Sequence, residues 1–474
     1  MDFEAVIGLE THVQLGTKSK MWCGCANAFG APPNTNVCPV CLGLPGVLPV
    51  ANEEALRLTT LTGFVLNCTV PPFAKFDRKN YFYPDMPKNY QITQYDKPST
   101  MNGYVDFEFK GGISRVRITR AHLEEDVGKN FHFERHSGVD FNRAGVPLME
   151  IVSEPDLTSA EMAYEYLNAL KDILVYGHVS DCDMEKGMVR CDVNVSVRPK
   201  GQDKLGAKIE IKNMNSFSGV RKALEYEIPR QIEVLKQGGK LIQSTRRWDD
   251  DAGVTEEMRT KEHAHDYRYF PEPDLMPFQP TEPWLKEVSE RVVELPLARK
   301  QRFMRDYQLP AADAQTFVWD VPLGHYFEGV AKQAKSPKAV ANWVINNLRA
   351  RLTESHTSLA DLKFKPGAIL ELIELVDSGK LSTKVAQDVF SEMFATGELP
   401  AKIAEKNNLI QVSDTGAIEA FCDQAIAANP GPASDFKAGK AAALNFLKGQ
   451  VMKLSKGKAN PALVGEVLER KLKP

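Results

Sequence analysis

Period-two alternation of apolar residues recurs along this chain as far as about residue 280 and not beyond, and that limit most constrains the fold. Before it, apolar and polar residues alternate: Ile7, Leu9, Thr11 and Val13; Val116 and Ile118; Cys191, Val193, Val195 and Val197; Ile209 and Ile211. A period of two puts successive side chains on opposite faces of a strand, so these segments read as half-buried strands. Lys110-Gly111-Gly112 and Pro199-Lys200-Gly201 read as turns between them. A helix is predicted after Pro155, capped by Thr158 or Ser159 and carrying Met162, Tyr166, Leu167, Leu170 and Leu174. A second runs from Val220 to Leu235, with Pro229 expected to kink it. Pro271, Pro273, Pro277, Pro280 and Pro283 are too dense for a regular element and predict an extended exit. Beyond them the pattern is helical, as where Ser382 precedes Val385, Val389, Phe390 and Met393 and Gly397 follows. At 474 residues, about three domains are expected. The predicted class is α+β: a mixed, mainly antiparallel β cradle with helices over residues 1–292, an all-α middle domain over 293–408 and a small all-α tail over 409–474.

The formal charge of −3 gives no global basic field for nucleic acid or an anionic membrane, so any such partner needs a local patch. One exists: residues 435–474 hold nine Lys/Arg against three acids, a net of +6, which leaves −9 on residues 1–434. Lys437, Lys440, Lys448, Lys453, Lys456 and Lys458 are its candidate RNA contacts; a solvated helix end is the plainer reading. The acidic start, Met1-Asp2-Phe3-Glu4, does not resemble a signal peptide, and no apolar run reaches the roughly 18 residues of a membrane span. Eight cysteines, half of them within Cys23 to Cys41, suggest a metal site in a reducing cytosol, and a cytoplasmic protein is expected.

That cluster, Cys23-Gly24-Cys25 and Cys38-Pro39-Val40-Cys41, has the paired spacing of a structural zinc site, against four thiols close by chance. On the first strand Glu10, His12 and Gln14 share the polar face, and Glu125 and Glu150 are two further acids that could join them to bind a cation. Glu150 is the sharper case, since Leu148 and Val152 share its face in an apolar strand. A hairpin from Arg190 to Lys212 presents Asp192, Asn194, Ser196 and Arg198 beside Lys208, Glu210 and Lys212. Such a floor could hold phosphates and their magnesium, or simply face water. The stretch from Asp77 to Gln91, with Lys79, Tyr81, Phe82, Tyr83 and Lys88, suits a ligand-facing loop, as does His265 to Pro271. No GxxxxGK[ST], helix-opening GxGxxG or GxSxG occurs.

Five stretches carry a family resemblance: Ile7 to Leu15, Cys38 to Gly43, Arg78 to Ile92, Asp266 to Asp274 and Lys456 to Pro461. They resemble the B-subunit family of the bacterial aspartyl/glutamyl-tRNA(Asn/Gln) amidotransferases, and the likeness runs essentially end to end. The resemblance implies a ligase that forms a carbon–nitrogen bond with glutamine as amide donor. ATP would phosphorylate the side-chain carboxylate of Glu-tRNA(Gln) or Asp-tRNA(Asn), and ammonia would displace phosphate. It implies Glu10, Glu125 and Glu150 as catalytic residues, with His12, Glu125 and Glu150 holding Mg²⁺, although an imidazole is an unusual ligand for so hard a cation. Lys79, Asp192, Asn194, Ser196, Glu210 and Lys212 would surround the ATP phosphates, and Cys23, Cys25, Cys38 and Cys41 would take Zn²⁺. It also implies a heterotrimer with a glutaminase A subunit, the source of ammonia, and a small C subunit. A non-catalytic tRNA-binding scaffold is the competing reading; it accounts for the tail and leaves Glu150 and the polar hairpin face unexplained.

Overall fold

The structure is a computed structural model that describes residues 2–214, 216–260, 267–410, 415–455 and 459–473. The chain divides into two compact units, Met1–Leu297 and Ala298–Pro474.

In the first unit the strands are β1 (Phe3–Gln14), β2 (Asp77–Asn80), β3 (Tyr90–Thr93), β4 (Thr100–Phe109), β5 (Gly112–Glu125), β6 (Lys129–His132), β7 (Ser137–Asp140) and β8 (Pro147–Ser153). They continue with β9 (Val189–Pro199), β10 (Ile209–Met214), β11 (Ser244–Asp249), β12 (Val254–Thr260) and β13 (Phe270–Pro271). Eight of them form one sheet in the order β12-β11-β10-β9-β1-β8-β5-β4, antiparallel except at β10 and β11. The mixed α+β class with a helical remainder is as expected.

Period-two alternation makes this sheet two-faced. Ile7, Leu9 and Val13 are buried together with Met149, Ile151, Leu123, Val193, Val195, Ile209 and Ile211. Helices α1 (Glu53–Val65), α2 (Ala160–Tyr176) and α3 (Phe217–Lys236) pack on the sheet and complete that core. Ser159 caps α2, its hydroxyl accepting the Met162 N–H at 3.1 Å. Ser216 caps α3 in the same way through Gly219, and α3 runs on through Pro229 without ending there. Lys110 and Gly111, both at positive φ, close β4 onto β5 as a two-residue hairpin loop requires.

The proline-dense segment is extended, but it does not leave the unit at once. β13 pairs with β2, the Glu272 N–H donates to the Phe76 carbonyl, and Phe278 bridges to Ala74. Proline's missing donor is tolerated because the other backbone edge makes these bonds. The short helix α4 (Glu282–Ser289) follows.

The second unit is helical, with two separate apolar cores. One is built around Phe303, Phe317, Phe327, Leu372, Val389 and Phe390. Here α5 (Thr383–Thr396) starts at Ser382, whose hydroxyl accepts the Val385 N–H, and ends at Gly397 with φ +79°. The other core joins Ile418, Cys422, Leu444, Leu447, Val451, Val464 and Leu468. No helix among the described residues is long and apolar enough to cross a membrane.

Candidate functional site

The polar face of the large sheet gathers chemistry because register sets one strand's polar positions beside the next. His12 on β1 lies opposite Glu150 on β8, and Glu150 lies opposite His122 on β5. One step along, Glu10 lies opposite Asp192, and Asn194 opposite Glu210. Two clusters result, His12–Glu124–Glu150 and Glu10–Asp192–Glu210, and in each the potential ligand atoms lie within 4.8 Å of one another.

In the first, His12 Nε2 is 3.4 Å from Glu150 and 3.5 Å from Glu124, and His122 Nε2 is 3.7 Å from Glu150. Burial opposes charge on His12, but the hydrogen bond to Glu150 and the Glu124 charge win and raise its pKa to about 9. Burial pushes His122 down to about 4, so near neutral pH it is uncharged. Burial raises Glu124 to about 7, with the Glu150 charge adding to the effect and His12 opposing it. Glu150 is held below the carboxylate range, against burial, by its neighbours His122 and His12 and by the Lys79 ammonium.

In the second, Asn194 Nδ2 donates to Glu10 at 2.8 Å, and Lys212 Nζ is 2.7 Å from Asp192 and 3.0 Å from Glu210. The Thr245 hydroxyl donates to Glu210 at 3.3 Å. Burial and the charges of Glu150, Glu210 and Asp192 raise the Glu10 pKa. Both donor sets suit a hard divalent ion, with His12 the one softer ligand. Buried Nδ1 of His122, Oδ1 of Asn194 and Nε of Arg120 have no hydrogen-bond partner. Buried polar atoms left unpaired are rare and mark this face as more than a packed sheet surface.

Lys79, from β2, completes the site. Its ammonium is 5.0 Å from the Tyr267 ring centroid and 5.8 Å from that of Tyr81. Burial opposes its charge, and the Tyr269 phenol with the Glu124 and Glu150 carboxylates more than offsets this. Ser196 lies on the same sheet face, opposite Val6.

One expected residue goes elsewhere. Glu125 is not brought to His12 and Glu150; its neighbour Glu124 is. Successive residues of β5 face opposite ways, so Glu124 shares a side with Arg120 and His122 while Glu125 shares one with Ala121 and Leu123. Glu125 ion-pairs with Lys88, and its Oε1 accepts the Ile92 N–H at 2.9 Å. His122 is a further member of the row that sequence reasoning missed. The alternation from Arg120 to Glu124 was the available signal for both.

Cys23, Cys25, Cys38 and Cys41 converge within 4.8 Å. The Cys38 and Cys41 sulfurs are 3.8 Å apart. Tetrahedral zinc with bonds of about 2.3 Å sets its sulfurs about 3.8 Å apart, so the donor set and the spacing both fit. Without a cation, crowding and burial raise the Cys23 and Cys25 pKa values, Cys25 to about 11, while the Cys23 hydrogen bond holds Cys41 down at about 4. Lys20 is fully buried and reaches the Asn36 carbonyl at 2.9 Å, the Phe141 carbonyl at 3.5 Å and Cys41 Sγ at 3.8 Å. It is placed to offset thiolate charge. Lys20→Met is expected to speed zinc loss to a chromophoric chelator about tenfold or more, the range for a lost outer-shell partner; an unchanged rate would refute that role.

In the basic tail Lys437 and Lys453 are exposed, and Lys440 is exposed and 3.0 Å from Asp435. Lys448 is half-buried against Gly465. Lys456 and Lys458 lie outside the described residues. Phe446 and Leu454, on the same helix as Lys448 and Lys453, are also exposed.

The sheet with its two acidic clusters belongs to a known class of catalytic domain: residues 5–286 match the family described as "GatB/GatE catalytic domain", and residues 325–472 match the "GatB domain" family. The aspartyl/glutamyl-tRNA(Asn/Gln) amidotransferase B subunit from Carboxydothermus hydrogenoformans is 52% identical over 476 residues, 99% of each chain. The proteins of that name from Caldanaerobacter subterraneus subsp. tengcongensis and Myxococcus xanthus are 51% and 50% identical, over 100% and 99% of each chain. The chain belongs to the family of aspartyl/glutamyl-tRNA(Asn/Gln) amidotransferase B subunits.

Proposed function

We propose that the polar sheet face activates the side-chain carboxylate of Glu-tRNA(Gln) or Asp-tRNA(Asn) with ATP and then amidates it with ammonia. The observation that carries this reading is the pair of carboxylate clusters side by side on one sheet face, with the ammonium groups of Lys79 and Lys212 beside them. A carboxylate is a poor acyl donor because its leaving group would be oxide. Transfer of the γ-phosphoryl group to a side-chain oxygen gives an acyl phosphate, which ammonia attacks at carbon to expel phosphate. The reaction needs positioning and charge neutralisation more than covalent help from the protein.

Glu10, Asp192 and Glu210 would hold a cation shared with the phosphates, with Asn194, Ser196 and Lys212 lining the same floor. His12, Glu124 and Glu150 would hold the second. Mg²⁺ at these positions would neutralise the phosphoryl oxygens during transfer. The Lys79 ammonium feels the charges of Glu124 and Glu150 and would meet an anionic oxygen brought between them. Four thiolates leave zinc no open position, so the cysteine site would be structural.

The three apolar cores support a division into a cradle of residues 1–292, a middle domain of 293–408 and a tail of 409–474. The exposed lysines of the tail would meet the tRNA backbone. The relatives are named as B subunits, which supports assembly with other subunits; ammonia would come from a glutaminase A subunit, with a small C subunit completing a heterotrimer. In the assembled complex, amidation should require ATP with either glutamine or ammonium as donor. The chain alone should form no product from glutamine. Amidation without ATP would overturn the kinase step, and product from the lone chain with glutamine would overturn the partner assignment.

A further inference from the structure

Glu125 is the end of a contact path that begins at the cysteine cluster. Gly43 lies two residues past Cys41 at φ +66°. A Cβ on it would stand 2.5 Å from Lys88 Cγ and 3.1 Å from Lys88 Cα, so the knuckle backbone rests directly on Lys88. The Lys88 side chain is 9% exposed, and its ammonium ends on both carboxylate oxygens of Glu125, itself 3% exposed. The Gln91 side chain also donates to the Glu125 carbonyl at 2.6 Å. Glu125 is therefore clamped from the knuckle side of β5, and Glu124, the preceding residue, projects to the other side beside His12 and Glu150.

A second contact runs in parallel. Gly145, at φ +82°, would place a Cβ 3.6 Å from Cys41 Cβ and 3.9 Å from Glu125 Oε2. Its N–H donates to the Asp126 carbonyl at 2.9 Å, and its carbonyl accepts the Met21 N–H at 2.7 Å. The knuckle and the end of β5 thus meet both at the buried Lys88–Glu125 ion pair and at a glycine whose left-handed backbone disfavours a side chain.

We propose that zinc held by the four cysteines is a positioning element for the His12–Glu124–Glu150 metal site, acting through Gly43, Lys88 and Glu125. This rests on reading both clusters as metal sites. Without the cation nothing cross-links the four sulfurs, so the knuckle loosens and Gly43 can withdraw from Lys88. A buried ion pair holds its place only while its surroundings fix its geometry. Once Lys88 shifts, Glu125 is released, and the last residues of β5 lose the anchor that sets Glu124. Metal ligands tolerate displacements of only about 0.5 Å, so a small shift weakens the site.

The test is Mn²⁺ titration of the full chain followed by electron paramagnetic resonance, with the part lost in Glu150→Gln assigned to this cluster. Zinc-loaded protein is compared with zinc-stripped protein whose fold is checked by circular dichroism. Stripping is expected to weaken the Glu150-dependent Mn²⁺ site about tenfold, within the usual range of coupling between sites. Gly43→Ala should keep its zinc and weaken the Mn²⁺ site to a similar extent. In the Lys88→Met, Glu125→Gln double variant, which leaves no buried charge unpaired, zinc removal should have no further effect. Folded, stripped protein with wild-type Mn²⁺ affinity would overturn the coupling alone. A zinc-loaded wild type with no Glu150-dependent Mn²⁺ binding would overturn the metal reading of the cluster and the coupling with it.

Discussion

In the assembled complex, Glu150→Gln should lower aminoacyl-tRNA-dependent ATP hydrolysis about 100- to 1,000-fold, the usual cost of removing one preorganised electrostatic contact to a transferring group. Glu150 faces His12 and His122 across two strand pairs, and these neighbours with Lys79 hold its carboxyl below the usual range. Glutamine keeps the shape and removes the charge that would bind the cation. Glu124→Gln should behave alike, because Glu124 shares the cluster. Glu125→Gln should differ in kind. It strands the buried Lys88 ammonium, at a cost of about 3–5 kcal/mol in stability for a broken buried pair. Its signature is a lower melting temperature, whereas the Glu124 variant should melt near wild type and hydrolyse ATP slowly. Wild-type ATPase in both the Glu124 and Glu150 variants would instead favour a non-catalytic tRNA-binding scaffold.

Deleting residues 415–474 should weaken tRNA binding about 100-fold near physiological salt while sparing ammonia-dependent amidation at saturating tRNA. The tail has its own apolar core, so its removal exposes little of the other two. Its described lysines are mostly exposed, and each phosphate they neutralise releases counterions. Affinity measured against salt should therefore lose about 0.7–0.9 of logarithmic slope per contact removed. Lys437→Glu with Lys453→Glu, in place on the folded tail, should reproduce part of the loss. Unaltered affinity and salt slope in both would remove the tail from RNA recognition.

The alternating segments were legible because sheet faces are written in period two: β1, β9 and β10 bury the residues their sequences nominate. Capping was legible too, since Ser159 and Ser382 each precede an apolar run by the spacing a helix start demands. Glu10, Asp192, Asn194, Glu210 and Lys212 were nominated by shared parity, and register brings them together. Glu125 was nominated as a further acid and by motif, without regard to strand parity, and the parity of β5 sets Glu124 on the polar face in its place. The contact from Gly43 to Lys88 was not legible, because it joins residues far apart in sequence through a left-handed turn that local pattern does not encode. Nor was the pairing of β13 with β2, since prolines mask a strand whose hydrogen bonds come from its neighbours.

In the proposed reaction ATP activates the side-chain carboxylate itself, and isotope transfer tests this most directly. Glu-tRNA labelled with ¹⁸O in both side-chain oxygens is amidated by the assembled complex with unlabelled ATP and ammonium, and the released phosphate is analysed by mass spectrometry. An acyl phosphate intermediate predicts one ¹⁸O in each phosphate formed per amide. Phosphate carrying only solvent or ATP oxygen would mean that hydrolysis of ATP and amidation are not joined through the carboxylate, contradicting the role assigned to this sheet face.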